Sequence, residues 1–344
     1  MTKVDLVTGF LGAGKTTYIL DYAKELIRRG EKIGIIENDY GAINVDLMLL
    51  HRELADRCRM EMVIGGDPDC HRRRLKTKLI AMGIDRYDRV IVEPSGVFDV
   101  DEFMDLLYEE PLDRLMKLEN VIAVVDADAM LRRTESQAAT GEAAEAQSGG
   151  FAGTAEHFSE DARYILAEEL TKAGCVVLSK AEQLAASDPE RILGSLNEML
   201  REIGCGRTLT ESDLLVKREE GLSSDDWERL LRAGSRDYAY VKRPVLSEGD
   251  FQSEFFFHAE LPEEPVEDVL RRIFRDPACG KLSRIKGFVP KGDGGWTEIN
   301  ATPQAVECRE SPVGQPVLIA IGEGLDPQRI GSYWKSYENE YRPG

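Results

Sequence analysis

The stretch Gly9-Phe10-Leu11-Gly12-Ala13-Gly14-Lys15-Thr16 constrains the fold more than any other part of the chain. It fits the pattern Gly-x-x-x-x-Gly-Lys-Ser/Thr in full, and its flanks fit too. Val4–Thr8 before it is a β-branched run that reads as a strand. After it, Ile19, Tyr22, Ala23, Leu26 and Ile27 fall on one face of a helix that Gly30 closes. Glycines in such a loop let successive backbone N–H groups wrap a phosphate, and the helix N-terminus adds a favourable dipole. On this reading Gly9, Gly12, Ala13, Gly14 and Thr17 line the phosphates of a nucleotide, and Lys15 reaches its β- and γ-phosphates. The Thr16 hydroxyl is placed to ligate Mg²⁺.

A strand–loop–helix of this kind belongs in an α/β sheet, and the sequence around it alternates accordingly. Lys32–Ile36, Arg89–Val92, Val121–Val125 and Cys175–Leu178 read as further strands, with helical spacing between them. A helix follows Asp188-Pro189 through Ile203, and a shorter one spans Asp225 to Leu231. These elements predict a mainly parallel sheet with helices on both faces over residues 1–245. Thr134 to Gly153 is rich in Ala, Gly, Ser, Glu and Gln, so 134–157 is expected to be a mobile surface insertion. Beyond residue 245 the pattern changes. Strand-like Phe251–Glu260, Leu282–Val289, Trp296–Asn300, Ala305–Arg309 and Val317–Ile321 accompany a helix opened by Pro265 and a last one from Pro327. That pattern predicts a smaller α+β domain over 246–344, one helix layer on a mostly antiparallel sheet.

Two further segments add chemistry to the loop. In Val90–Gly96, VIVEPSG, an apolar strand delivers Glu93 at its C-terminal end, where ligands bind in open α/β sheets. A carboxylate there can hold Mg²⁺ through water, and the Gly96 N–H can meet a γ-phosphate. In Leu178–Leu184, LSKAEQL, the order Ser179-Lys180-Ala181-Glu182 stands where GTPases use Asn-Lys-x-Asp. A carboxylate accepting both the N1–H and the exocyclic amine of guanine selects that base. Glu182 supplies the carboxylate with a longer reach, and the Lys180 stem can cover the base. Ser179 lacks the side-chain amide that braces this loop, which weakens the preference for GTP over ATP.

The net charge is −19, which argues against a nucleic-acid backbone or an anionic membrane as the main partner. The acidity fits both a chain that handles cations and one that is simply soluble. No apolar run reaches the roughly 18 residues of a membrane span. The opening MTKVDLVTGF reads as a strand entering a glycine loop and not as a signal peptide. The six cysteines are scattered without a Cys-x-x-Cys pair, so a reducing cytoplasm is the expected setting.

Taken in order, these segments resemble the CobW-type GTPases, relatives of HypB and UreG. Thr8–Thr17 is close to that family's opening, and Glu37–Asp46, ENDYGAINVD, resembles its Asn-Glu-Phe-Gly-Glu switch segment. VEPSG resembles its Glu-x-x-Gly segment, and LSRIKG (Leu282–Gly287) and VLIAIGEGLD its C-terminal domain. The resemblance implies a slow GTPase acting as a metallochaperone or cofactor-maturation factor. Asp39 or Glu93 would order Mg²⁺ or the attacking water. A client metalloprotein or corrinoid protein is implied as partner, and a homodimer is open to this class. The family's Cys-x-Cys-Cys motif falls on Asp67-Pro68-Asp69-Cys70, after Gly66. Two thiolates have become carboxylates, so Asp67, Asp69 and Cys70, with His71, form a harder set suited to Zn²⁺, Co²⁺, Ni²⁺ or Fe²⁺. The switch segment departs too, Ala42 standing in place of its second carboxylate.

Alternatives stay open. Either the metal is retained, or Gly65–Arg74 is a switch loop capped by Asp69 and the chain works on its client without carrying metal. A small-molecule kinase would need an arginine-rich lid, for which Arg132-Arg133 is the hint. The basic run Arg72, Arg73, Arg74 and Lys76 reads as a solvated helix face, as a match for acidic residues elsewhere, or as a phosphate contact.

Overall fold

The computed structural model describes residues 1–10, 12–39, 45–54, 57–64, 68–94, 100–132, 134, 160–242, 251–260, 264–291, 294–303, 305–312 and 314–338. The chain divides into two compact units, Met1–Tyr40 with Leu50–Val245, and Gly41–Leu49 with Leu246–Gly344. The insertion expected over 134–157 lies outside the described residues apart from Thr134.

The first unit is built on seven strands: β1 (Thr2–Thr8), β2 (Ile33–Asp39), β3 (Arg59–Ile64), β4 (Arg89–Glu93), β5 (Met116–Asp126), β6 (Cys175–Ser179) and β7 (Leu214–Val216). They lie in the order β3-β2-β4-β1-β5-β6-β7, and every pairing is parallel. Two of these were not expected. β3 carries polar Arg59 and Glu61 at an edge, and β7 has only three residues. Both are edge strands, where burial on two faces does not impose a continuous apolar run.

The two-residue period sorts the core. Val4 and Leu6 of β1, Val90 and Val92 of β4, and Val121, Ala123 and Val125 of β5 belong to one cluster. Val7, Ile91, Ile122 and Val124 belong to the other. Helices α3 (Pro68–Ile84), α4 (Val100–Tyr108), α5 (Leu112–Leu115), α6 (Glu160–Lys172) and α7 (Asp188–Glu202) cover the first face. Helices α1 (Lys15–Arg28) and α8 (Ser224–Leu230), with Leu50 and Leu54 at the end of α2 (Val45–Leu54), cover the second. On that second face Tyr22 of α1 stacks on Trp227 of α8, ring centroids 5.7 Å apart.

A buried polar cluster centres on Asp5 and Arg89. Asp5 accepts from Arg89 at 2.6 Å, from Tyr22 at 2.5 Å and from Asn120 at 2.9 Å. Burial pushes the Asp5 carboxyl up while Arg89, Tyr22 and Asn120 pull it back. Arg89 also reaches Glu31 at 2.9 Å, so β1, β4, β5 and α1 are tied together near the start of β4.

The second unit holds six strands, β8 (Phe251–Glu260), β9 (Lys281–Pro290), β10 (Trp296–Ala301), β11 (Val306–Ser311), β12 (Val317–Glu323) and β13 (Ser336–Glu338). Their order is β11-β10-β9-β12-β8-β13, antiparallel throughout. Helices α9 (Val266–Arg275) and α10 (Pro327–Gly331) bury Val269, Leu270, Ile273 and Ile330 in a core shared with Phe256, Ile285 and Leu318. Among the described residues no helix is long and apolar enough to cross a membrane.

Candidate nucleotide site

The glycine loop leaves the carboxyl end of β1 at Gly9, whose φ of +146° and surroundings admit no side chain. A Cβ there would lie 2.4 Å from the Val124 carbonyl oxygen of β5. Gly12 and Gly14 take left-handed φ values of 81° and 83°, and Gly14 is the N-cap of α1. No side chain caps that end, so first-turn N–H groups are left for an anion. Thr16 is half-buried and Thr17 exposed within this first turn, while Leu11 lies outside the described residues.

Lys15 is buried at the start of α1 and its Nζ donates to the Gly9 carbonyl at 2.7 Å. The same Nζ stands 3.8 Å from Oε1 of Glu93, the last residue of β4. The lysine therefore sits folded across its own loop, its charge answered by the carboxylate expected to serve Mg²⁺. A phosphate is a stronger partner than one carbonyl, so this cation can exchange onto it. Gly96 lies outside the described residues, and Asp39 is described only as the last backbone position of β2.

The Ser179-Lys180-Ala181-Glu182 segment also meets the loop. Ser179 is buried at the end of β6, and its Oγ donates to the Ala13 carbonyl at 2.5 Å, with the Val125 carbonyl 3.1 Å away. The hydroxyl thus braces the loop by itself, which the missing amide had put in doubt. Lys180 takes a left-handed φ of 51° and its Nζ pairs with Asp126 of β5 at 2.6 Å. Glu182 is exposed.

Two carboxylates, Asp126 and Glu169, carried no role in the sequence reading, and Glu37 entered it only as the first residue of the switch segment. Asp126 holds Lys180. Glu37 is buried on β2 in register with Glu93 on β4. Glu169 on α6 is buried against the loop and accepts the Gly9 N–H at 3.1 Å. Strand-end position was a signal for Asp126, which closes VIAVVD. Glu169 had none, since a glutamate on a helix ordinarily faces water.

The motif GGDPDCHRRR resolves in part. Asp67 lies outside the described residues. Pro68 opens the long helix α3, so Asp69, Cys70 and His71 occupy a helical first turn and not a loop, their side chains lying outside the description. Among the described residues no three His, Cys, Asp or Glu side chains group as a metal site. The basic run answers acidic residues. Arg72 and Lys76 each reach Glu109 at 2.6 Å, and Arg72 stands 3.8 Å from Glu102. Arg132 pairs with Asp128 at 2.9 Å, and Arg133 lies outside the described residues.

A glycine loop closing on a helix N-terminus, with a lysine and a strand-end carboxylate at the carboxyl edge of a parallel sheet, defines a P-loop nucleotide-binding domain. The chain belongs to the CobW/HypB/UreG family, whose nucleotide-binding domain matches residues 3–208. It is 34% identical over 133 residues to the zinc chaperone YjiA of Escherichia coli K12, a match covering 36% of this chain and 40% of YjiA. The zinc chaperone CobW of Pseudomonas aeruginosa is 24% identical over 315 residues, covering 83% of this chain and 76% of that protein. The chain thus spans less than half the length of YjiA in that match. The crystal structure of the Zn(II)-bound YjiA GTPase from E. coli aligns over 96% of this chain and 97% of that one, at 17% identity and a TM-score of 0.35.

Proposed function

We propose that this chain is a GTP-hydrolysing metallochaperone that couples its nucleotide state to holding a transition metal, zinc first, and passing it to a client protein. The observation that carries the reading is the family match over 3–208 laid on a loop whose Lys15 sits between the Gly9 carbonyl and Glu93. Zinc is favoured because YjiA and CobW are zinc chaperones.

In this mechanism Lys15 leaves the Gly9 carbonyl for the β- and γ-phosphates, which the N–H groups of Gly12 to Thr17 surround. Thr16 and Glu93 are the residues that fit Mg²⁺: one is a hydroxyl in the first turn of α1, the other a carboxylate already within reach of Lys15. Bound there, Mg²⁺ supplies positive charge against the phosphate oxygens. Gly96 would offer its N–H to the γ-phosphate, and Asp39 or Glu93 would order Mg²⁺ or the attacking water. Ser179 holds the base loop against Ala13, while Lys180 and Glu182 meet the guanine. Asp67, Asp69 and Cys70 with His71 are the residues that would hold the cargo metal. Charge on the γ-phosphate biases the segments 37–46 and 65–74 between two arrangements.

The test has two arms. Binding of fluorescent GTP and ATP analogues with Mg²⁺ should favour GTP, and Lys15→Ala should abolish it. Zinc titration against a competing chromophoric chelator should give one site per chain, lost in Cys70→Ala and altered by GTP. Equal zinc binding by wild type and Cys70→Ala sinks the carrier role and leaves a maturation chaperone that carries no metal.

A further inference from the structure

Helix α6 brings one more ionisable group to the phosphate loop, and the chemistry above makes no use of it. Glu169 is 3% exposed. Its Oε1 accepts the Gly9 N–H at 3.1 Å, and its Oε2 has neither solvent nor a hydrogen-bond partner among the described residues. Burial pushes its carboxyl up to about 8, with Lys15 and the Gly9 N–H pulling against that rise. Near neutral pH this is therefore an uncharged acid, a neutral acceptor behind a loop built to receive anions.

The backbone that carries Glu169 is anchored. Arg207, buried, donates to the Leu170 and Ala173 carbonyls at the end of α6, the latter at 2.6 Å. The Ala173 N–H returns to the Glu169 carbonyl at 3.1 Å. On the preceding residue, Glu168 accepts from Tyr240 at 2.6 Å. A side chain held from such a base can define a position rather than follow one.

Gly9 is the hinge where β1 becomes loop. Its N–H points away from the ladder into α6, and its carbonyl holds Lys15. We propose that Glu169 is a positioning residue of the phosphate loop: by accepting the Gly9 N–H it fixes the first loop peptide, and so where Lys15 waits before phosphate arrives. This rests on the reading of the loop as a nucleoside triphosphate site.

Glu169→Leu removes the acceptor and leaves a buried N–H unpaired, whereas Glu169→Gln keeps an oxygen at Oε1 and is uncharged like the native acid. Nucleotide affinity, read with a fluorescent GTP analogue, should fall about tenfold in the Leu variant and stay within about twofold in the Gln variant. KM for GTP should rise in step while kcat stays within about twofold, because the bond acts on the loop before chemistry. Thermal melting checks that both variants are folded. If Glu169→Leu unfolds, Glu169→Asp, which withdraws the acceptor by one methylene, should show the same rise in KM. A folded Leu variant (or, in its place, Asp) that binds like wild type overturns the proposal, as does a Gln variant that falls with Leu. A wild type that binds no nucleotide removes the nucleotide reading, and this proposal with it. A wild type that binds while all three variants match it removes the proposal alone.

Discussion

Single residues set the limits of the nucleotide site. Gly9→Ala would put a methyl 2.4 Å from the Val124 carbonyl at a φ that side chains avoid. It should cost about 2 kcal/mol or more in urea unfolding and abolish nucleotide binding. Glu169 gives a pH signature. Its folded-state value is raised from 4.5 to about 8, so between those values the native chain keeps a proton that the unfolded chain has released. The contribution of this group to stability is whole below about pH 4.5 and is lost as pH rises through about 8, at roughly 1.4 kcal/mol for each tenfold displacement. Glu169→Gln should flatten that slope. Wild type and variant should thus diverge in melting temperature as pH is raised from about 5 to about 8, the variant being the steadier. Parallel curves would refute a buried acid at this position. The contrast with Lys15 is instructive about legibility. Lys15 is fixed by local spacing, so eight residues of sequence place it. Glu169 meets Gly9 across 160 positions of chain, and such a contact leaves no local periodicity to read.

At the scale of elements, period and burial made the central strands and α1 legible, while the edges were not. Arg59 and Glu61 break the apolar run of β3, and β7 is too short to show alternation. Pro68 was readable as a stiff turn, yet it begins seventeen residues of helix. Seven residues after it, the α3 face reaches the core with Leu75, followed by Leu79 and Met82, whose spacing the preceding basic run obscured. That run now has partners on the neighbouring helix–turn, centred on Glu109. Half-exposed pairs of this kind contribute about 0.2–1 kcal/mol each. Arg72→Ala and Lys76→Ala should therefore lower stability by less than about 1 kcal/mol apiece. Both should leave nucleotide affinity unchanged. A fall in affinity would revive the phosphate contact.

Across the whole molecule, the first unit separates its tasks along the strands. Thr8, Glu93, Asp126 and Ser179 stand at the carboxyl ends of β1, β4, β5 and β6, where the loop and its partners gather. The Asp5–Arg89 pair ties the sheet toward the other end, 2.6 Å apart and almost wholly buried. Arg89→Ala leaves that carboxylate buried without its counter-charge and should cost about 3–5 kcal/mol in denaturant titrations. In the fraction that remains folded, nucleotide affinity should match wild type, because no part of the pair touches the glycine loop. The same polarity has a practical consequence for measurement. Ile84, 65% exposed where α3 ends and the chain turns back toward β4, lies at the amino edge. A tether or fluorophore installed there would hold the protein on a surface with its nucleotide mouth turned toward the solution.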